Sequence, residues 1–171
     1  MPETKTYKPE DLAFSSLMAR VPPDLAEYIE TLKQVDQRRD RHPEGDVFTH
    51  IRVVTDRVAV HCDIELSIAA LMHDLGKDRT TEINERTGMP MSPNHHKYSA
   101  ECVVIWSEWI RGMGADSYVV YMLVLHHMDK DMAGMKKPLV TPKRMAWLMS
   151  QPWWGKLDNL MKADRGGTDV D

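Results

Sequence analysis

Asp63-Ile-Glu-Leu-Ser-Ile-Ala-Ala-Leu-Met-His-Asp-Leu-Gly-Lys77 is the stretch that decides the fold. Asp63 stands where a helix N-cap belongs. Ile64, Ile68, Leu71, Met72 and Leu75 then recur with the 3.6-residue period, and Leu66, Ala69 and Ala70 fill most of the remaining positions. A helix that is apolar nearly all round is a central one, covered by others on every side. Gly76 follows the last apolar residue, where a left-handed stop is expected. This central helix therefore ends on two adjacent polar residues, His73 and Asp74.

The flanking segments also read as helices. Pro22-Pro23-Asp24 announces one whose buried face is Leu25, Tyr28, Ile29 and Leu32. Asp46 caps the next, with Val47, Phe48, Ile51, Val54 and Val58 inside and His50 on the same inward face. A helix from about His95 to Arg111 is expected to bury Ala100, Val103, Val104 and Trp106. The octet Tyr118–Leu125 is apolar throughout and is read as a buried helix ending at His126-His127, because an isolated strand would have no partner. Thr141-Pro142 starts another helix, and a last one covers roughly 153–164. Between them, residues 76–94 form a long polar loop, a length that in compact domains goes with function. The expected division is an N-terminal arm over 1–22, one helical domain over 23–166 and a C-terminal tail over 167–171.

Composition narrows the function classes. The chain has 171 residues, 42% hydrophobic and 28% charged, values that suit one folded domain. No run of about 18 apolar residues exists to span a membrane, and the opening Met1-Pro-Glu-Thr-Lys5 lacks a secretory signal. The net charge of −4 argues against binding extended DNA. The two cysteines, Cys62 and Cys102, form no disulfide framework and read as small buried residues in a reducing compartment, the cytoplasm. With only two Phe but 13 Met and five Trp, the core falls to Met, Leu, Val and Trp. Trp147, Trp153 and Trp154 read as packing for the last helices, with base stacking or a partner surface as the alternative.

Eight histidines, at 42, 50, 61, 73, 95, 96, 126 and 127, are the chemically informative residues. One inward histidine is normally a satisfied core residue. The combination is different, because a His-Asp pair at the end of a buried helix is costly as isolated charge. A divalent cation resolves that cost, and the negative end of the helix favours it.

His50, His73-Asp74-Leu-Gly-Lys77 and Asp164 in Lys162-Ala-Asp-Arg-Gly166 resemble the H…HD…D signature of the HD-domain superfamily, over about residues 40–166. Within it, His42-Pro-Glu-Gly-Asp-Val-Phe-Thr-His50 and the step to His73 look most like the HD domain attached to bacterial CCA-adding tRNA nucleotidyltransferases. The resemblance implies a single all-α helical bundle with a metal site between central helices. It implies that His50, His73, Asp74 and Asp164 are metal ligands, with Asp129 and Asp158 as alternatives to the last. Asn94-His95 with Ser99-Ala100 is similar to a segment that supplies a second-metal histidine in two-metal members, and His126-His127 to their fifth motif. His96 is the alternative to His95, and His126 and His127 both stay on the ligand list.

The same resemblance implies a metal-dependent phosphohydrolase that cleaves a phosphoester or phosphoanhydride with a metal-activated water. One or two divalent ions would serve, and the mixed His and carboxylate ligands suit Mn, Fe, Co, Ni or Zn better than Mg. Asp74 is the expected catalytic carboxylate and Lys77 the phosphate-binding cation. Arg79, Lys97 and Lys130 are candidates at the rim, and Arg38, Arg39 and Arg41 a candidate phosphate-facing wall. The expected substrate is a small nucleotide or a phosphate-bearing nucleic-acid end. Assembly into a homo-oligomer is compatible with the sequence. Two other readings compete: a di-iron oxygenase of the HD type, and a non-catalytic, metal-stabilised nucleotide-binding module.

Overall fold

The computed structural model describes residues 5–129 and 140–166; Lys130 and the tail 167–171 lie outside the described residues. The fold is all-α, as expected. Two short helices, α1 (Pro9–Leu12) and α2 (Phe14–Met18), precede α3 (Pro23–Thr31), which tightens into a 3-10 turn at Leu32–Gln34. Then come α4 (Val47–Val58), α5 (Ile64–Met72) and the single turn α6 (Lys77–Thr80). A small ribbon, β1 (Glu82–Ile83) and β2 (Pro90–Met91), is followed by α7 (His95–Ile105) and α8 (Ser107–Gly112). The chain continues through α9 (Ser117–His126), α10 (Pro142–Met149) and α11 (Trp154–Asp164).

The central helix is α5. Every residue from Leu66 to Met72 is buried, and α4, α7, α9 and α11 pack around it. The helix starts follow their caps. Asp46 Oδ1 accepts from the Thr49 amide at 2.8 Å, Asp63 Oδ1 from Leu66 at 3.0 Å and Thr141 Oγ1 from Arg144 at 3.2 Å. Each such cap is worth about 1 kcal/mol. In the first 22 residues, Leu12, Phe14 and Leu17 are buried in the same core as α5.

Several local expectations are corrected. Gly76 is not a left-handed stop: its φ of −72° is right-handed. Glycine is needed there because α7 crosses it, and a Cβ would lie 2.3 Å from the His95 carbonyl oxygen and 2.7 Å from the Ser99 nitrogen. The stretch 76–94 is not a plain loop, since it holds α6 and the antiparallel pairs Glu82 with Met91 and Ile83 with Pro90. The helix expected over 95–111 breaks at Trp106, where φ is −101° and ψ 21°. Val104 is 61% exposed, because the buried stripe of α7 runs through Ser99, Ala100, Cys102 and Val103 and leaves it on the outer side. Cys62 is exposed in a left-handed turn between α4 and α5, whereas Cys102 is buried. Among the described residues no helix is long and apolar enough to cross a membrane.

Lys156, early in α11, holds that helix against the start of α5: its Nζ lies 2.8 Å from Asp63 Oδ2 and also pairs with Glu65. Burial works against the ammonium, but the two carboxylates outweigh it and lift its pKa above the ordinary 10.5. A group raised on folding stabilises fully below its unfolded pKa and loses that contribution as pH rises through its folded one. Lys156→Met is therefore expected to destabilise the protein at about pH 8 and to differ less from the parent above about pH 11. Denaturant unfolding of both proteins at the two pH values checks this, and a gap that widens in alkali contradicts it.

Candidate metal centre

Five helices bring their ends to one point. α5, α9 and α11 arrive by their carboxyl ends, carrying His73, His127 and Asp164 at or just past their last turns. Their partial negative charge favours a cation there. α4 contributes His50 from its first turns, and α7 contributes His95 as its first residue. Asp74, 1% exposed, sits in the middle.

One side of Asp74 faces His50, His73 and Asp164. Asp74 Oδ2 is 3.5 Å from His50 Nε2 and 3.4 Å from His73 Nε2. Asp164 Oδ1 is 3.0 Å from His50 Nε2 and 3.7 Å from His73 Nε2. The other side faces His95 and His127. Asp74 Oδ1 is 3.1 Å from His95 Nε2 and 3.7 Å from His127 Nε2, and those two nitrogens are 3.2 Å apart. Ligand atoms around a transition ion with bonds of about 2.1 Å are separated by roughly 3.0–3.5 Å. The separations given for the two sets run from 3.0 to 3.7 Å, within or slightly beyond that spacing.

The tautomers agree. Nδ1 of His73, His95 and His127 lies 2.7–2.8 Å from the carbonyl oxygens of Ala70, Ser92 and Val124. A carbonyl only accepts, so each Nδ1 carries a proton, and each Nε2 faces inward as the atom on which a metal would take the place of a second proton. His50 Nδ1 is held in the same way by the Glu44 carboxylate. Tying the outer nitrogen of an imidazole fixes a metal-ligating ring. Two lone pairs 3.2 Å apart beside a carboxylate repel unless a positive charge lies among them. His73 Nε2 is buried with no hydrogen-bond partner, and Asp74 Oδ2 has the Lys77 ammonium beside it at 2.7 Å. The residues present therefore fit one or two divalent cations, held by His50, His73 and Asp164 on one side and by Asp74, His95 and His127 on the other.

The electrostatics have the same sense. Burial pushes the His73 pKa down, but Asp74 and Asp164 outweigh it and lift it to about 10. Burial likewise opposes charge on His50, and Asp164 and Glu44 raise it. On Asp74 burial acts upward, and His73 and Lys77 hold the carboxyl well below its usual range. The hydrogen bond from His50 brings Glu44 down to about 2. Burial takes His127 down to about 4, leaving its nitrogen free to coordinate. The carboxylates that favour a proton on His50 and His73 would also favour a metal cation in its place.

A cavity of about 420 Å³ opens onto the cluster, with Asp74, Lys77, His95, His127 and Asp164 on its floor and Arg38, Arg41, His42 and Arg165 among its walls. Lys77 Nζ is 2.7 Å from Asp74 Oδ2 and donates to Gln37 Oε1 at 2.6 Å. The structure brings together His50, His73, Asp74, Lys77, His95, His127 and Asp164. It does not bring in His126, whose Nδ1 is 2.6 Å from Asp129 Oδ2 and whose ring stacks on Trp153. Asp129 also pairs with Arg144, and Asp158 pairs with Lys162. His96 is half-buried beside His95 and in neither ligand group. Arg79 lies toward Tyr28 and Cys102, and Lys97 is exposed; neither lines the cavity. Trp153 is buried, while Trp147 is 44% exposed. Sequence reasoning gave no role to Glu44 or Gln37. Both lie in the loop before α4, where no periodicity marks a side chain as inward; the only signal for Glu44 was its place within the quoted His42–His50 segment.

A family model for the HD domain matches residues 46–156, and the chain belongs to the HD domain family. The match stops short of Asp164, which the fold delivers from the end of α11. Among curated proteins, the multifunctional CCA protein of Paraburkholderia phymatum is 42% identical over 66 residues, covering 38% of this chain and 15% of that protein. That of Halorhodospira halophila is 28% identical over 120 residues, covering 70% of this chain and 27% of that protein. The chain thus spans about a quarter or less of the length of these relatives. No solved structure matches it.

Gly76 joins the two halves of the cluster, because its amide donates to Ser99 Oγ at 2.8 Å while α7 lies against its Cα. Gly76→Ala places a methyl against backbone atoms that cannot swing away. The expected cost is about 1–3 kcal/mol, with His95 displaced and one fewer divalent ion bound per chain. Denaturant melts and metal analysis check this; unchanged stability and stoichiometry contradict it.

Proposed function

We propose that this protein is a metal-dependent phosphohydrolase of the HD type, acting on a phosphoester or phosphoanhydride of a nucleotide or a nucleic-acid end. The observation that carries the reading is the buried Asp74 carboxylate, with two imidazole Nε2 atoms facing each oxygen, at the floor of a cleft with arginines on its walls. His50, His73, Asp74 and Asp164 would hold one ion, and Asp74, His95 and His127 a second. When bound, such ions acidify a water and polarise a phosphoryl oxygen at neutral pH.

The chain's own residues do the rest. Glu44 and the carbonyls of Ala70, Ser92 and Val124 fix the four rings, so that no side-chain reorganisation is needed during reaction. Lys77 presents a fixed positive charge beside Asp74, where a phosphate would approach. Arg41 and Arg165 line the same cleft and suit the remaining negative charge of a substrate. Arg38 has part of its charge engaged by Asp40 at 2.7 Å. The catalytic unit would be the helical domain over residues 23–166, its core completed by Leu12, Phe14 and Leu17 of the preceding arm, working in the cytoplasm. The resemblance to the HD domain attached to CCA-adding tRNA nucleotidyltransferases supports a phosphate-bearing RNA end as one substrate class, alongside small nucleotides.

A hydrolysis screen tests the reading. Protein loaded with Mn or Co is expected to release phosphate, or open a cyclic phosphate, from at least one nucleotide or 3′-terminal phosphate. Asp74→Ala should bring that rate to background. Arg41→Ala should raise KM by about three- to tenfold with kcat unchanged, the mark of a contact equal in ground and transition states. Absence of turnover across metals and substrates, with metal bound, would contradict the proposal.

A further inference from the structure

Lys77 poses a problem that the cluster does not solve by itself. It is a buried lysine, 7% exposed. Its charged neighbour, Asp74 Oδ2 at 2.7 Å, is also one of the oxygens best placed to take a metal. A carboxylate oxygen that neutralises an ammonium competes for the same lone pairs with a cation. If Asp74 were the only partner of Lys77, loading the site would strand a buried ammonium, and stranding such a charge is expensive.

Gln37 removes that conflict. Its side chain, 7% exposed, reaches from the loop before α4. Oε1 accepts from Lys77 Nζ at 2.6 Å, and Nε2 donates to the Asp46 carbonyl at 3.3 Å, which fixes the orientation of the amide. The loop itself is pinned: Gln37 N donates to the Gly45 carbonyl at 2.8 Å, and Val47 N to the Val35 carbonyl at 3.1 Å. Asp46, which orients the amide through its carbonyl, also caps the helix that carries His50. One side chain therefore ties the His50 helix to the turn that carries His73, Asp74 and Lys77.

We propose that Gln37 is a positioning residue of the metal centre: it gives Lys77 a neutral acceptor, so that Asp74 can be shared with a divalent cation without leaving the ammonium unpaired. This rests on the metal-centre reading above. Gln37 touches no reacting atom and acts through Lys77. A glutamine suits the role because an amide oxygen stabilises the ammonium without adding a charge of its own.

Titration of the purified full chain with Co(II), followed by its d–d absorption and by calorimetry, tests the proposal without reference to turnover. Gln37→Met keeps the length of the side chain and removes the acceptor. Co(II) affinity should fall by about tenfold or more, the loss expected for one hydrogen bond to a charged group. In the Lys77→Met background the stranded charge is gone, and adding Gln37→Met should change affinity by less than about threefold. A merely structural role for Gln37 would cost the same affinity in both backgrounds. Two results overturn the proposal: unchanged affinity in Gln37→Met alone, or an equal loss when it is added to Lys77→Met. If Gln37→Met does not fold, Gln37→Asn, too short to reach Lys77, takes its place with the same two outcomes. Failure of the parent protein to bind Co(II) would instead reject the metal centre itself.

Discussion

The structure turns on a carboxylate that has been taken out of water. Asp74 is buried just past the end of α5, the most apolar helix among the described residues, and its neighbours are four imidazole nitrogens and the Lys77 ammonium. Burial alone would force it to hold a proton. His73 and Lys77 keep it ionised instead, and the four rings around it turn their Nε2 atoms inward. So many ligand nitrogens and oxygens held together out of water call for shared positive charge, and a divalent cation would supply it at spacings close to those observed.

The helical scaffold exists to hold this arrangement still. Because α5 is buried along its length, its end cannot shift without moving α4, α7, α9 and α11. Packing at that density transmits small displacements. The contact of Gly76 with α7 sets the distance between the His73–Asp74 turn and His95. On the open side, the loop before α4 and the β1–β2 ribbon form the walls of the cleft, which places its variable chemistry on loops and its fixed chemistry on helix ends.

Much of this was legible in the sequence, for physical reasons that can be named. The near-continuous apolar run of 64–72 admits only a central helix, and Asp46, Asp63 and Thr141 mark helix starts through their side-chain oxygens. His50 was identifiable as inward from the stripe Val47, Ile51, Val54 and Val58. His126 and His127 could not be separated, because they end a helix whose apolar octet has no polar face to set the angle. In the structure they point about a quarter-turn apart, one to Asp129 and Trp153, the other to Asp74. Gly76 was misassigned because a close helix crossing and a left-handed turn demand the same residue. Arg79 and Lys97 follow residues of the cluster in sequence but project from the outer sides of α6, a single turn, and of the first turn of α7, where too few neighbours mark a face. Glu44 and Gln37 lie in an irregular loop whose path is set by contacts with α4 and α6, which only the fold supplies.

Anomalous scattering from crystals grown with Mn(II) would locate the ions. Density is expected within coordination distance of His50, His73 and Asp164, and of Asp74, His95 and His127, with the four rings oriented as described. Crystals in which manganese sits elsewhere on the protein, while those side chains remain metal-free and turn their Nε2 atoms away from Asp74, would contradict the metal centre.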